Sequence, residues 1–202
     1  MRFPFLLFFT SFSLLASAQT NHKQDVKNFQ VELNAEYKDS KKSPLDAKSR
    51  KKFKKHDFFP IDSVYRVTAA LNITENTPFF KMPTTGDRLP QYRKYGDIVF
   101  TLKGNSYTLP VYQSYDLMRL PAYKDYLFLP FTDLTNGNTS YEGGRYIELR
   151  LPKTGNTIVV DFNKAYNPYC AYNLTYSCPI VPAENHLDLH IDSGVRYLKK
   201  KN

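Results

Sequence analysis

Hydrophobic residues recur at two different spacings along the chain, and the change of spacing divides it into two segments. Between residues 19 and 39 the apolar side chains stand three or four positions apart, at Val26, Phe29, Leu33 and Tyr37. This spacing places them on one face of a helix. From Asp57 onward apolar residues alternate with polar ones or form short runs, which is typical of strands. The pattern predicts an N-terminal helical segment over 19–56 and a β domain over 57–198.

A second helix is predicted to begin at Ser43, with Pro44 in its first helical position. Leu45 and Phe53 would then face the core. Six basic residues would cover the outer surface: Lys48, Arg50, Lys51, Lys52, Lys54 and Lys55. Such a face binds phosphate or lipid in some proteins, but solvated faces are more common, and no aromatic residues are interleaved here to stack bases. We interpret it as a solvated helix face.

Three β-rich regions follow the helices. Positions 64–71 are apolar on both alternating faces and predict a central strand. Two β-rich runs flank Lys103-Gly104-Asn105 and predict a hairpin. The run 125–131 predicts a further strand. The proline-, threonine- and glycine-rich segment 74–95 predicts a long loop or short edge pieces.

The C-terminal part predicts a second hairpin, formed by 145–151 and 157–162 about a turn at 153–156. A final strand is predicted over 187–191. Strands do not alternate with helices and no glycine fingerprint follows a strand, so a nucleotide-binding fold is disfavoured. The predicted fold class is mainly β (α+β): a single antiparallel β domain, barrel- or sandwich-like, with one or two N-terminal helices packed on it.

The first eighteen residues have the features of a secretory signal peptide. Arg2 supplies a minimal positive region, 3–15 form a short apolar run, and Ala16-Ser17-Ala18 is a small-x-small cleavage site. The run is too short to span a bilayer comfortably. We predict a signal peptide over 1–18, cleavage after Ala18, and an exported protein that is periplasmic or secreted.

Export changes the interpretation of Cys170 and Cys178, which are the two cysteines of the sequence. In an oxidising compartment a nearby pair most simply forms a disulfide. Closing this short loop would stabilise the fold by roughly 2–3 kcal/mol. The alternative is a catalytic thiol at Cys170 with His186 as its base, which an oxidised cysteine excludes.

Composition and charge limit the class of partner. The chain has 202 residues, of which 42% are hydrophobic and 15% aromatic, as in folded domains. Its net charge of +9, from 28 basic and 19 acidic residues, is compatible with anionic partners. Because the basic run of the predicted second helix has no interleaved aromatic residues to stack bases, we expect nucleic acid to be an unlikely partner. We predict a small molecule or a protein as partner and no cofactor, and the oligomeric state stays open.

Polar side chains gather at the end of the predicted strand 157–162. Asp161 and Asn163 share one face of that strand and lead into a loop with Tyr166 and Asn167. Polar groups at a strand end that feed a loop are common in binding sites. They are also common where a loop is simply held in place, since Asp and Asn bond neighbouring backbone readily.

A second group of candidates lies upstream. Gly143-Gly144 lets backbone approach closely, and Arg145 follows with donors that suit a carboxylate or phosphate. The alternative is an internal ion pair of Arg145 with Asp161 or Glu184. We favour the internal pair, because a semi-buried arginine usually finds a protein carboxylate.

Five ionisable residues alternate with uncharged ones near the C-terminus: Glu184, His186, Asp188, His190 and Asp192. In a strand they would share one face, where histidines and carboxylates can hold a divalent metal. A half-buried strand with a polar outer face has the same pattern and is far more common. We therefore predict no metal site.

The segment 131–185 carries motifs that resemble the domain of unknown function 1684 family, which is widespread in bacteria. The matching words are PF-x-D-x-T-x-G ending in GGRY, then DFNKAYNP-x-CA, then CP-x-x-P-x-EN; in this chain they comprise Pro130, Phe131, Asp133, Thr135, Gly137, Tyr141, 143–146, 161–168, Cys170, Ala171, Cys178, Pro179, Pro182, Glu184 and Asn185. Upstream words, FFPID at 58–62 and YRVTA at 65–69, resemble the family too, as does Ser43-Pro44-Leu45. The chain departs from the commoner pattern at Glu142, Lys164, Tyr169 and His186. The resemblance implies no established activity.

The sequence lacks the GxSxG, HExxH and P-loop signatures. We therefore expect an exported ligand- or partner-binding or structural β domain with a polar pocket. The candidate ligand-binding residues are Arg145, Asp161, Asn163, Tyr166, Asn167 and Asn185. The alternative is a hydrolase or transferase with Asp161 or Glu184 as its acid/base group.

Overall fold

A twisted antiparallel sheet with two N-terminal helices forms residues 11–197, which are the residues that the computed structural model describes. The helices are α1 (Ser11–Lys38) and α2 (Ala47–Lys52). The strands are β1 (Arg66–Ile73), β2 (Phe80–Lys81), β3 (Gln91–Leu102), β4 (Asn105–Ser114), β5 (Tyr126–Asp133), β6 (Arg145–Arg150), β7 (Thr157–Asp161) and β8 (His186–Leu187). The predicted α+β class is confirmed.

The strands form a half-barrel in the order β6-β5-β4-β3-β1-β7. Two short strands lie off this path: β2 pairs with β3, and β8 pairs in parallel with β5. All other pairings are antiparallel. The sheet therefore has an inner concave face and an outer convex face, and these two faces differ in what they cover.

The predicted hairpin about residues 103–105 is confirmed as β3 and β4. Leu102 pairs with Asn105, so Lys103 and Gly104 form a two-residue turn. Both have positive φ, at 50° and 84°, as a type I′ turn requires. This turn matches the twist of the two longest strands of the sheet and fixes their register.

The second predicted hairpin is wrong. β6 pairs with β5, and β7 pairs with β1 instead of with β6. In that pairing Val67 lies opposite Val160, so β7 extends the apolar inner face of β1 and buries it. The gain from this long-range burial exceeds that of a local turn, because a two-stranded hairpin alone covers little apolar surface. β6 and β7 are consequently the two ends of the half-barrel.

Two other strand predictions need correction. Residues 63–65 form a single 3₁₀ turn, and β1 begins at Arg66. The predicted final strand over 187–191 contracts to β8, His186–Leu187, which pairs with Thr132 and Asp133 of β5. The residues after Leu187 turn away because the carbonyl of Ile191 and that of Ser193 are used by Arg145.

The inner face of the sheet encloses the main core. Alternate positions of each long strand point into it, for instance Val67, Ala69 and Leu71 of β1. The core is completed by residues of the other strands and of the C-terminal segment: Ile98, Phe100, Leu102, Leu109, Val111, Leu127, Leu129, Phe131, Ile147, Leu149, Ile158, Val160, Phe162, Leu187 and Ile191. Burial of these side chains is the main source of stability.

The outer face carries a second, aromatic cluster: Met82, Tyr92, Tyr112, Tyr126, Phe128 and Tyr146. A β-bulge between Lys94 and Gly96 shifts the register of β3 against β4. It reverses which face the even-numbered residues of β3 occupy, so Tyr92 joins the outer cluster while Ile98 stays inside. The bulge thus allows one strand to serve both faces.

The apolar face predicted for the first helix is confirmed. Val26, Leu33 and Tyr37 are buried, and Phe29 packs beside them. α1 runs without a break through the predicted cleavage site after Ala18; residues 1–10 of the predicted signal peptide lie outside the described residues. Across 11–197 no helix combines the length and the hydrophobicity that a membrane crossing needs.

The second helix begins later than predicted. Asp46, rather than Ser43, caps it, because its carboxylate accepts hydrogen bonds from the backbone of Lys48 and Ser49. The Ser43 hydroxyl instead donates to the carbonyl of Tyr37 and closes the end of α1. The basic residues of α2 are on its surface, and none of the helix residues is buried, in line with a solvated face.

Candidate ligand-binding cleft

Arg145 lies on the inner face of β6 and is fully buried. Its guanidinium forms an ion pair with Asp133 at 2.5 Å and donates to the carbonyls of Ile191 and Ser193. The internal ion pair favoured from the sequence exists, but its partner is Asp133 rather than Asp161 or Glu184. Arg145 therefore joins the end of β5 to the C-terminal segment inside the protein.

The adjacent Gly144 shows why the glycine pair precedes this arginine. Its φ is +91°, and a Cβ at that position would lie 2.8 Å from the carbonyl oxygen of Phe131. Only glycine allows both the left-handed backbone and this approach. The Gly-Gly-Arg word consequently brings β6 tightly against β5 and turns Arg145 inward.

Asp161 and Asn163 form a second buried group of hydrogen-bonded side chains, at the end of β7. The Asp161 carboxylate accepts hydrogen bonds from the backbone and side-chain nitrogens of Asn163 and from His22 Nε2 at 2.8 Å. Asn163 also bonds the backbone N–H and carbonyl of Asp62. The group therefore joins α1, the turn before β1 and the end of β7.

Asn185 is fully buried and bridges two strands from outside. Its side-chain nitrogen donates to the carbonyls of Pro110 and Pro130, while its oxygen accepts a hydrogen bond from the Tyr112 hydroxyl. The exposed Glu184 accepts from the same hydroxyl at 3.1 Å. Asn185 thus joins a carbonyl of β4 to a carbonyl of β5 through one amide group.

Asn167 and Tyr166 separate in the structure, although they are adjacent in sequence. Asn167 is buried and donates to the Tyr172 hydroxyl at 2.9 Å. Tyr166 is half-buried and lines a cleft of about 680 Å³ on the outer face of the sheet. Of the six predicted ligand-binding residues, Tyr166 is the one that reaches this cleft.

The cleft lies between α1 and the outer aromatic cluster. Its floor is formed by strand residues, and α1 supplies one wall through Phe29, Glu32, Leu33 and Glu36. The loop after β7 supplies the opposite wall through Lys164, Tyr166, Pro168 and Tyr169. A volume of this size is typical of small-molecule sites.

Aromatic rings of the cleft stand nearly at right angles to one another. The ring centroids of Phe128 and Tyr146 are 4.7 Å apart with planes at 74°. Tyr146 and Tyr166 are 6.0 Å apart with planes at 89°. Tyr92 and Phe128 continue the row at 5.6 Å, with their planes tilted by 41°. These ring contacts stabilise the wall of the cleft.

Two carboxylates of the cleft accept hydrogen bonds from tyrosine hydroxyls. Tyr169 donates to Glu36, and Tyr166 donates to Glu148 at 3.2 Å. The Glu148 side chain contacts the solvent of the cleft, yet protein atoms surround it, and this burial raises its pKa above the usual range. The Tyr166 hydrogen bond acts in the opposite direction on that pKa. Burial also raises the pKa of Tyr166, so its hydroxyl stays protonated.

Three basic residues also border the cleft, and two of them are bound elsewhere. Arg150 pairs with Asp125 at 2.8 Å, and Lys164 pairs with Asp25 at 2.7 Å. Arg88 is exposed at the mouth. Among residues 21–197, no basic side chain forms an ion pair with Glu36 or Glu148. These two carboxylates therefore lack an ion-pair partner in the described part of the chain, although the nearby charge of Arg150 lowers the pKa of Glu148.

The predicted disulfide is not formed in the structure: Cys170 and Cys178 are both free thiols. The backbone N–H of Cys170 donates to the Cys178 sulfur at 3.2 Å, and the two side chains share a hydrogen bond. Hydrogen bonds from Cys178, Thr85 and Tyr141 lower the pKa of Cys170 to about 6, and the same sharing raises the pKa of Cys178. Cys178 borders the cleft.

The alternative sites read from the sequence are dispersed. His186, considered as a base for Cys170, lies on β8 and bonds the Thr132 hydroxyl at 3.0 Å. The five alternating ionisable residues from Glu184 to Asp192 are exposed. Within residues 11–197 no group of three potential metal ligands converges.

Sequence reasoning missed most of the cleft because it predicted the strands without identifying what covers the outer faces of β5 and β6. The signal was present in β5, where Tyr126 and Phe128 alternate with Leu127 and Leu129. A strand that is apolar on both faces is covered on both sides. What covers the second face here is α1 and the loop after β7, and no local pattern indicates that contact.

Comparison with known proteins places the chain in a family without an assigned activity. Residues 51–196 match the model of a family described as "Protein of unknown function (DUF1684)". No curated protein matches the chain. Among solved structures, the solution NMR structure of an uncharacterized protein from gene locus rrnAC0354 of Haloarcula marismortui is similar, at 32% identity and a TM-score of 0.69. The match covers 90% of this chain and 97% of that one.

The matched region contains the strands of the β domain, the buried Arg145–Asp133 ion pair and the buried Asp161–Asn163 pair. It also contains all of the cleft lining except the wall supplied by α1. The chain thus belongs to the DUF1684 family of proteins of unknown function.

Proposed function

We propose that this protein is an exported small-molecule-binding protein and that its ligand site is the cleft between α1 and the outer aromatic face. The observation that carries the proposal is the cleft itself: about 680 Å³, with aromatic walls and a few polar groups. Most ligand sites combine these features, because apolar walls supply affinity and a few polar groups fix orientation.

The buried polar residues of the family motifs hold in place the elements that form the cleft. Asp161 is bonded to Asn163 and to His22 of α1, so it holds the helix that forms one wall. Arg145 fixes the end of β5 beside β6. Both strands contribute to the cleft floor. These residues therefore affect ligand binding indirectly, because they position α1 and the strands that line the cleft.

Catalysis by Asp161 or Glu184 is the weaker proposal. Both carboxylate oxygens of Asp161 already accept hydrogen bonds in a buried site. Glu184 is exposed, bonded to Tyr112, and outside the cleft. A general acid or base needs to reach the proton that it transfers. Asp161 borders a second cavity of about 390 Å³, but its oxygens are already used by His22 and Asn163. Glu184 borders neither this cavity nor the cleft.

Binding can be mapped on the isotope-labelled protein with a library of small metabolites that contains amines, saccharides and carboxylates. We expect at least one class to perturb the NMR resonances of cleft residues such as Tyr166 and Glu148. Glu32→Trp should abolish the perturbation, because this exposed α1 residue borders the cleft and a large ring there fills its mouth.

Asn28→Trp is the matched control, since Asn28 is also exposed on α1 but does not border the cleft. Binding that survives Glu32→Trp, or a library that perturbs no cleft resonance, contradicts the proposed site.

Export is the second part of the proposal and rests on the N-terminal sequence. Cleavage after Ala18 would leave Gln19 as the first residue and retain the contacts of α1 with the β domain, namely His22 with Asp161 and Asp25 with Lys164. Expression in a bacterium, fractionation and N-terminal sequencing test it. We expect a periplasmic or secreted product beginning at Gln19; an uncleaved cytosolic product contradicts export.

A further inference from the structure

We infer that the cleft selects an organic cation, a ligand with an ammonium group that sits among the tyrosine rings beside Glu148 and Glu36. This inference rests on the proposed binding function and specifies its ligand class. The observations that carry it are the orientation of the rings, the position of the two carboxylates, and the way in which the neighbouring basic residues are neutralised.

The ring geometry suits a cation. Tyr166 stands at 89° to Tyr146, and Phe128 stands at 74° to Tyr146. The rings pack edge to face against one another, and a ring face that borders the cleft attracts a cation through its quadrupole. A flat neutral ligand would instead be favoured by parallel rings that stack on both of its sides.

The tyrosine hydroxyls do not supply the charge of the site. Burial raises the pKa of Tyr126, Tyr146 and Tyr166 above the usual range. They are therefore neutral. Tyr146 donates to the carbonyl of Pro179, and Tyr166 donates to Glu148. These bonds fix the rings in the cleft wall, where Tyr166 is the most exposed of the three.

The carboxylates supply the complementary charge. Glu36 from α1 and Glu148 from β6 border the same cleft. Burial raises the pKa of Glu148, the charge of Arg150 lowers it, and the charge of Glu36 raises it. Each carboxylate accepts a hydrogen bond from a tyrosine hydroxyl, Glu36 from Tyr169 and Glu148 from Tyr166. A neutral hydroxyl does not neutralise a carboxylate. A bound ammonium would provide the missing counter-charge in a partly desolvated site.

The basic residues at the border do not cancel this negative charge. Arg150 is held by Asp125 and the carbonyl of Ala122, and its guanidinium lies 5.4 Å from the centre of the Tyr123 ring. Lys164 is held by Asp25. Both are thus paired with carboxylates outside the cleft. The charge of Arg150 still lowers the pKa of Glu148, but burial outweighs it and that pKa stays raised. Arg88, the third basic residue of the border, is exposed.

The test uses choline and, as its matched neutral probe, the isostere in which carbon replaces the nitrogen. Titration of the full chain by calorimetry, with NMR mapping, gives affinity and location together. We expect choline to perturb the cleft and to bind about tenfold or more tightly than the neutral isostere, since desolvated cation–π contacts and one opposite charge each contribute appreciably.

Three variants sharpen the result. Glu148→Gln should weaken choline binding about tenfold while leaving the weak binding of the isostere unchanged. Glu75→Gln is the control, because Glu75 is an exposed carboxylate far from the cleft lining, and it should change neither affinity. Tyr166→Leu removes the ring and should weaken choline binding about tenfold.

The outcomes separate this inference from the proposed function. If the isostere or a neutral saccharide such as maltose binds in the cleft as well as choline does, and Glu148→Gln changes nothing, the cation inference is wrong and the binding function stands. If no compound perturbs the cleft resonances, the binding function fails as well.

Discussion

The two faces of the half-barrel treat charge in opposite ways. On the inner face the charged groups of Arg145 and Asp133 are fully buried and bonded to each other. On the outer face Glu148 faces the solvent of the cleft, and its hydrogen-bond donor is the hydroxyl of Tyr166. Buried charges must be paired to be tolerated, whereas a charge at the border of a cleft keeps part of its interaction capacity for another molecule.

The comparison shows that the sequence motifs richest in polar residues do not necessarily form the binding site. Asn163 and Asn185 satisfy backbone groups where the chain leaves regular strands. Replacing such residues is costly, because a buried donor or acceptor without a partner costs about 1–3 kcal/mol. The cleft, by contrast, is lined mainly by tyrosines, two phenylalanines and glutamates that come singly from several elements.

The largest effect is expected at the inner ion pair. Arg145→Met leaves Asp133 buried without its counter-ion, and we expect a loss of about 3–5 kcal/mol of unfolding free energy. Urea denaturation measures it. The double variant Arg145→Met with Asp133→Asn should recover part of this loss, because the uncompensated charge is removed as well. A single variant as stable as wild type would show that the inner face tolerates an unpaired charge, against the comparison.

Acid should weaken the attachment of α1, which forms the cleft wall. His56 packs edge-on against Tyr37 of α1, with ring centroids 4.3 Å apart, and burial lowers its pKa from 6.5 to about 4. The unfolded chain therefore binds this proton more readily than the folded one. Unfolding free energy should fall by about 2–3 kcal/mol as pH drops from about 6.5 to 4.

The measurement is urea denaturation across this pH range, with His56→Phe for comparison. The variant keeps an aromatic ring and lacks the titrating group, so its stability should depend less on pH in that window. Equal pH slopes for the two proteins would assign the acid sensitivity to other groups.

A smaller effect is expected at the thiols beside the cleft. Cys178→Ala removes the hydrogen bond that contributes most to lowering the pKa of Cys170. That pKa should rise from about 6 toward the ordinary 9.0. Thiolate absorbance in the ultraviolet, followed against pH under reducing conditions, reports the change, and Cys170→Ala identifies which thiol titrates. An unchanged titration would mean that the two sulfurs are not coupled.

The smallest effect on stability is expected at Glu148. Because Glu148 is solvent-accessible in the cleft and has no ion pair among residues 21–197, Glu148→Gln should change the unfolding free energy by less than about 1 kcal/mol. A loss comparable with that of Arg145→Met would contradict the distinction between the two faces.

The pH dependence of choline affinity tests the same carboxylate. The groups that face Glu148 are Tyr126 of β5, Arg150 of β6, Lys164 and Tyr166 of the loop after β7, and Glu36 of α1. Protonation removes the attraction for a cation, and the pKa of Glu148 is raised above its ordinary 4.5. Affinity should therefore begin to fall at a higher pH than an ordinary glutamate would require. Glu148→Gln should bind weakly with little pH dependence from this group.

Local pattern was sufficient for several elements. The stripe of Val26, Leu33 and Tyr37 predicted α1, because its period is that of a helix and the buried face follows directly. The hairpin turn at Lys103 and Gly104 followed from turn chemistry that depends on two adjacent residues. The family motifs could likewise be read as ordered words and led to the matched family.

Long-range pairing decided what local pattern left open. The sequence could not show that β7 pairs with β1, since several strands offer an apolar face of similar pattern and the choice depends on which pairing closes the inner core. For the same reason it could not show that Arg145 pairs with Asp133. The predicted disulfide failed as well, because two cysteines close in sequence do not by themselves have the geometry of a bond.

The sequence by itself thus determined the α+β class, the family and the local elements, each of which depends on residue order over short distances. The tertiary structure alone decided the cleft. Its lining comes from α1, three strands of the sheet and two loops, and only folding brings them together. The physical reason is that burial is a property of packed surfaces: the same tyrosine–leucine alternation in β5 serves a core on one side and a cleft on the other.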